Sequence, residues 1–239
     1  MDNHVLEKKI ASNNKEISEL LRNNEGLIRE AGFEPPKENF CIKQENKIKF
    51  PAGYIRTTKY FNGQYHLDDV IENESVRKNL SYALQISDFY DFIIKRFYIW
   101  GSVETLLYKY AFVNIISVIE ALIVECVNRL NSSCISCDKT RNCDKKINKN
   151  ERNNMKSALK KLRELNILEL SDNEQNEILD LYDLRNKIHI RLSEQNEFLD
   201  DQFNEEIYNK SIKLLREIDV QIWENGVEKY NTCLLDYEN

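Results

Sequence analysis

Glycine and proline are scarce, with 6 Gly and 3 Pro in 239 residues. So few turn residues exclude a sandwich or barrel of short strands and favour long helices. Positive charge is not in excess either: 34 Lys and Arg stand against 40 Asp and Glu, a formal net charge of -6. The chain as a whole is therefore no generic polyanion binder, and any nucleic-acid contact must use a local basic patch. No glycine-rich phosphate loop, serine-hydrolase elbow or dinucleotide fingerprint occurs. The first residues are polar and lack the apolar run of a signal peptide, so a cytoplasmic location is expected. The most apolar run, residues 111–127, contains Asn114, Ser117, Glu120 and Glu125. It reads as a buried helix rather than a membrane span, and no membrane partner is expected. Six cysteines in such a chain are expected to be thiols or metal ligands, not disulfides.

What is present is mostly helical periodicity. Residues 4–31 read as a polar helix with sparse apolar positions, ended by Ala31-Gly32 and Pro35-Pro36. Lys47–Phe50 alternates polar and apolar, Pro51-Ala52-Gly53 is a turn, and Tyr54–Thr58 is a second extended run, so a small hairpin or ordered loop is expected. From Asn73, which with Ser75 is a capping candidate, the chain reads as helix. The aromatic stretch Phe89–Trp100 is expected to serve core and interface packing. After Gly101-Ser102 a long helix to about Leu130 carries Phe112, Ile115, Ile116, Ile119, Leu122, Ile123 and Cys126 at three- and four-residue steps, the pattern of a central core helix. A helix over 150–168 buries Met155, Leu159, Leu162 and Leu165; a second, capped by Ser171-Asp172-Asn173, extends past Leu184; a last one over 201–230 buries Phe203, Ile207, Leu214, Ile218 and Ile222. The expected organisation is all-α: an N-terminal appendage over 1–75 (helix plus loop or small hairpin), then a helical domain over 76–239 with a cysteine-bearing insert at 131–150.

The helix around residue 185 carries the chemistry. At 100° per residue Ile178, Leu181, Leu184, Ile188 and Leu192 share one face, and Arg185 projects within it with His189 only 40° further round. A guanidinium inside an apolar stripe is costly unless it is paired or opens into a polar cleft. One reading is that Arg185 pairs with an acid such as Glu120 or Glu177 and ties helices together. The other is chemical: an always-charged Arg beside a His that titrates near neutrality can stabilise a phosphate and move a proton, as metal-free RNA cleavage requires.

The run Tyr182-Asp183-Leu184-Arg185-Asn186-Lys187-Ile188-His189 resembles the signature of HEPN domains, small helical bundles that include metal-independent endoribonucleases of toxin–antitoxin, abortive-infection and CRISPR systems. Ile116–Leu122, with Glu120 in apolar company, is similar to the first long helix of such domains, and the resemblance spans about residues 103–230. The family usually separates Arg and His by four to six residues; three lie between Arg185 and His189 here, which makes them helical i,i+4 neighbours. The resemblance implies His189 as base or acid, Arg185 on the scissile phosphate, Asn186 as an orienting group and Glu120 positioning Arg185 or His189 across the bundle. It further implies a homodimer that joins two Arg–His pairs at one cleft, acting on RNA in stress or antiviral defence. The alternative is a catalytically inactive dimer of the same type that binds RNA or a protein partner as a defence-system subunit.

Cys134 and Cys137 are spaced for a zinc knuckle, and Cys143 is a plausible third thiolate. For the fourth ligand Cys126, two helical turns earlier, is the leading choice over Asp138 or Asp144, although Cys126 equally suits the core as a small hydrophobe. Structural zinc or incidental thiols are both open; no cofactor is expected for catalysis. The only polyanion patch expected is basic: Lys139, Arg141, Lys145, Lys146, Lys149 and Arg152, continued by Lys156, Lys160, Lys161 and Arg163. His4 and His66 show no partner pattern and are expected at the surface.

Overall fold

A computed structural model of the chain describes residues 3–32, 43–49, 55–135, 146–186 and 202–226, with side chains omitted over 133–135. Among these residues there are helices and no strand, so the fold is all-α. The chain divides into two compact units, Met1–Pro51 and Ala52–Asn239.

In the first unit α1 (Asn3–Glu30) has no buried residue. Leu6, Ile10, Ile17, Leu21 and Ile28 fall on one face at 100° per residue, yet Ile10, Ile17, Leu20 and Leu27 are all exposed. Gly32 ends it: the glycine adopts a left-handed φ of 87°, and its N–H donates to the Arg29 carbonyl at 2.9 Å. A single 3-10 turn, Gln44–Asn46, follows, and Lys47–Lys49 form no strand. Residues 50–54, which hold the expected turn, lie outside the described residues, and of the second extended run residues 55–57 form no strand while Thr58 is already helical. The Thr57 hydroxyl accepts from the Tyr60 N–H at 3.3 Å and starts α2 (Thr58–Gln64). A capping threonine outweighs the strand preference of so short a run.

Within the second unit α2 is followed by α3 (Leu67–Val70), α4 (Glu74–Arg96), α5 (Ser102–Ile135), α6 (Lys149–Asn153), α7 (Met155–Glu164), α8 (Asp172–Asn186) and α9 (Glu205–Gly226). Phe61, Leu67, Val70 and Ile71 are buried in the same core as the later helices. Residues 55–75, expected with the appendage, therefore pack as part of the bundle. Asn73 rather than Ser75 caps α4, its Oδ1 accepting from the Ser75 and Val76 N–H groups at 3.0 and 3.3 Å.

The centre is α5, which packs against α3, α4, α6, α7, α8 and α9. Because neighbours surround it, apolar residues occupy most of its circumference rather than one stripe. Phe112, Ile115, Ile116, Ile119, Leu122, Ile123 and Cys126 are buried as expected, joined by Val118, Val127 and Leu130. Each such side chain contributes about 1.5–3 kcal/mol on burial. Among the described residues α5 is also the one helix long and apolar enough to cross a membrane.

Three other expectations change. The aromatic stretch splits: Phe89, Tyr90 and Phe92 are half-buried on α4, whereas Tyr98 and Trp100 in the α4–α5 turn are 93% and 75% exposed. The helix over 150–168 is two helices. Asn154 closes α6 and caps α7, accepting from the Ser157 N–H at 3.1 Å, and α7 stops at Glu164 where Asn166 turns left-handed. On α9 the buried register is Tyr208, Ser211, Leu215, Ile218, Asp219 and Ile222; Ile207 and Leu214 are half-buried, and Phe203 is buried ahead of the helix. The polar members Ser211 and Asp219 hid this stripe from hydrophobic periodicity.

Candidate functional site

The sequence-selected arginine sits where α8 crosses α5. Ser171 and Glu174 start α8 reciprocally: the Ser171 N–H donates to Glu174 Oε2 at 2.7 Å and the Glu174 N–H to Ser171 Oγ at 3.3 Å. The Ser171 hydroxyl, donating to Glu174 Oε2 at 2.6 Å, and then the Ser171 N–H hold the Glu174 carboxyl below its ordinary pKa. Ile178 and Leu181 are buried against the core, which turns the face bearing Tyr182 and Arg185 toward α5.

There Arg185 Nη2 lies 3.3 Å from Glu120 Oε2 and donates to Ser117 Oγ at 3.1 Å. Its Nη1 donates to Asn186 Oδ1 at 2.9 Å. The Tyr182 hydroxyl donates to the other Glu120 oxygen, Oε1, at 3.2 Å. Ser117 and Glu120 are i,i+3 on α5; Tyr182 and Arg185 are i,i+3 on α8, so each helix contributes two groups from one face. The arginine and glutamate side chains are 28% and 27% exposed. The guanidinium has five N–H donors, and these contacts use three. Among the described residues, one N–H on Nη1 and the Nε–H are left for an anion.

Arg185, Asn186 and Glu120, picked from sequence, thus come together. Ser117 and Tyr182 were missed, although their i,i+3 offsets from Glu120 and Arg185 were the available signal. His189 lies outside the described residues. The ion pair is what a helix tie needs, and it is equally a way to aim a half-open guanidinium.

The proposed metal ligands are not assembled among the described residues. Cys126 is fully buried in α5 among apolar neighbours. The side chain of Cys134 and all of Cys137 and Cys143 lie outside the described residues. Cys126 and Cys134 stand eight residues apart on continuous α5, about 12 Å along the axis at ~1.5 Å per residue. Two thiolates on one zinc ion cannot span that, so Cys126 is corrected from ligand to core residue.

Of the seven described basic residues of the patch, four face acids. Lys156 pairs with Asp183 at 2.8 Å, Arg163 with Asp172 at 2.9 Å, and Lys160 with Glu164 at 3.9 Å. Lys161 is 5% exposed, with Glu151 and Glu164 each at 3.7 Å. Lys146 and Lys149 are exposed, and Lys139, Arg141 and Lys145 lie outside the described residues.

Compared with known protein families, curated proteins and solved structures, the chain finds no match.

Proposed function

We propose that the chain is a HEPN-type, metal-independent endoribonuclease acting as a homodimer in prokaryotic stress or antiviral defence. The observation that supports it most is the Arg185 guanidinium, anchored by Glu120, Ser117 and Asn186 yet more than a quarter exposed. Held this way, Arg185 offers its remaining N–H groups to a scissile phosphate without reorganising. The reading assigns His189 the proton transfers: from the 2′-hydroxyl as it attacks phosphorus, and to the 5′-oxygen as the P–O bond breaks. Glu120, one hydrogen bond from Tyr182, is a positioning residue.

A second reading has a specific observation in its favour. The same three acceptors also suit a structural tie, which would leave an inactive dimer that binds RNA or a protein partner. Cleavage of labelled total RNA and tRNA in EDTA, for wild type, Arg185→Ala and His189→Ala, separates the two. Cutting that survives chelation and is lost in both variants supports the nuclease. A folded wild type that cuts nothing at micromolar concentration moves the chain to the second reading.

A further inference from the structure

His66 is not the partnerless surface residue that its sequence context suggests. Its Nδ1 lies 3.2 Å from Asp219 Oδ2, with the two side chains 26% and 4% exposed. Its ring stacks on Trp223 at 4.2 Å between centroids and 13° between planes. One face of the ring and one nitrogen are therefore committed. Since the carboxylate only accepts, Nδ1 carries the proton, and Nε2 on the opposite edge is the nitrogen left for solvent.

Local structure gives no reason for a histidine here. His66 stands at the N-cap of α3 with φ 45°, left-handed, and its side chain makes no capping bond. Asn would tolerate that backbone and cap the helix. The other half of the pair is also costly. Asp219 is 3% exposed, and its Oδ1 has no hydrogen-bond partner among the described residues. Burial pushes its carboxyl up to about 6, with His66 drawing it partly back. A strained histidine and an under-satisfied buried carboxylate, each oriented on the other, are a pairing that stability alone does not favour.

The ring opens onto a cleft of about 590 Å³ lined by Thr57, Lys59, Tyr60, Gly63, Gln64 and His66. It is a shallow cleft, open to solvent over most of its extent. None of these residues is acidic, in a chain of net charge -6. The Tyr60 hydroxyl is used up between Gln64 Oε1 and Arg56. What remains is the Lys59 ammonium, the Thr57 hydroxyl hydrogen, the Gln64 amide N–H₂ and His66 Nε2. Three are donors outright, and the fourth donates when the ring is an imidazolium.

We propose that this cleft binds a phosphate monoester, held by the Lys59 ammonium and by Nε2 of His66. Asp219 acts through the ring as a positioning residue, and Trp223 fixes the ring plane. The site stands apart from the reading of Arg185 and does not depend on it.

The test titrates the full-length protein with adenosine 5′-monophosphate, inorganic phosphate and adenosine, following the His66 Cε1–H resonance and the heat of binding. The expected result is a saturable shift with the monophosphate and with phosphate, and none with adenosine. Lys59→Ala, an exposed position, should weaken binding by about tenfold, the loss of one charge-assisted contact. His66→Asn, which suits the left-handed backbone, should do the same, while Lys78→Ala on α4 should leave affinity unchanged. No shift at millimolar ligand, equal binding of adenosine, or a Lys59→Ala protein that binds as wild type would each overturn the proposal.

Discussion

Replacing Arg185 and Glu120 singly and together measures whether their pair is a clasp or a poised site. At 3.3 Å two unit charges attract by about 1.3 kcal/mol in a water-like dielectric and by about 5 kcal/mol at an effective dielectric of ~20. With more than a quarter of each side chain exposed, and with desolvation already subtracted from the gain, the coupling should fall near the lower figure, about 1 kcal/mol. Arg185→Ala still leaves Glu120 bonded to the Tyr182 hydroxyl and Ser117 bonded to the Val113 carbonyl, so no buried charge is stranded. The single variant should lose about 1–2 kcal/mol, a fall in Tm of roughly 2–8 °C for a chain of this size. The assay is urea unfolding of wild type, Arg185→Ala, Glu120→Gln and the double variant, combined as a thermodynamic cycle. A coupling above about 3 kcal/mol is the signature of a buried tie whose removal strands a charge; it would refute the half-open site. A coupling of zero would show that the pair does not form in solution.

Three further outcomes are expected. The Asp219 carboxyl is raised from 3.8 to about 6, so the folded state keeps a proton that the unfolded chain has already lost. Its contribution is therefore best below pH 4 and declines as pH rises to 6, and the stability of wild type relative to Asp219→Asn should fall by up to about 3 kcal/mol between pH 4 and pH 7; equal pH dependence of the two proteins would refute the assignment. Leu122→Ala, at a fully buried position of α5, should cost about 2–5 kcal/mol in urea unfolding, and a loss below 1 kcal/mol would remove α5 from the centre of the core. If purified protein carries zinc, Cys126→Ala should leave the metal content unchanged and Cys134→Ser should lower it; a loss of metal on replacing Cys126 would mean that α5 is not continuous between the two.

The legible part of the candidate site was local. Arg185 and Glu120 stood out because a charge inside an apolar helical run violates the pattern around it, and such a violation is visible at one residue; Asn186 was singled out only by the resemblance. Ser117 and Tyr182 carry no charge to single them out, so their part in the cluster emerged only when α5 and α8 were laid side by side. His66 and Asp219 were harder still: they are separated by 153 positions, and neither sits in a motif. The basic run over 156–163 misled for a related reason. Charge counted along a chain ignores the acids that neighbouring helices bring to it, Asp183 and Asp172 among them.

By itself the sequence determined the class of structure and its central element. Scarce glycine and proline, capping residues at Asn73 and Ser171, and apolar spacing through 112–126 specify helices and a buried α5, because helix formation and termination depend on neighbours three and four positions away. Tertiary structure decided what distance along the chain cannot encode. It placed α2 and α3 in the core rather than in an appendage, left Tyr98 and Trp100 in solvent, buried Ser211 and Asp219 on α9, and set Arg185 against Glu120 and His66 against Asp219. Each of these depends on which helix faces which, and packing complementarity summed over the whole core selects that arrangement.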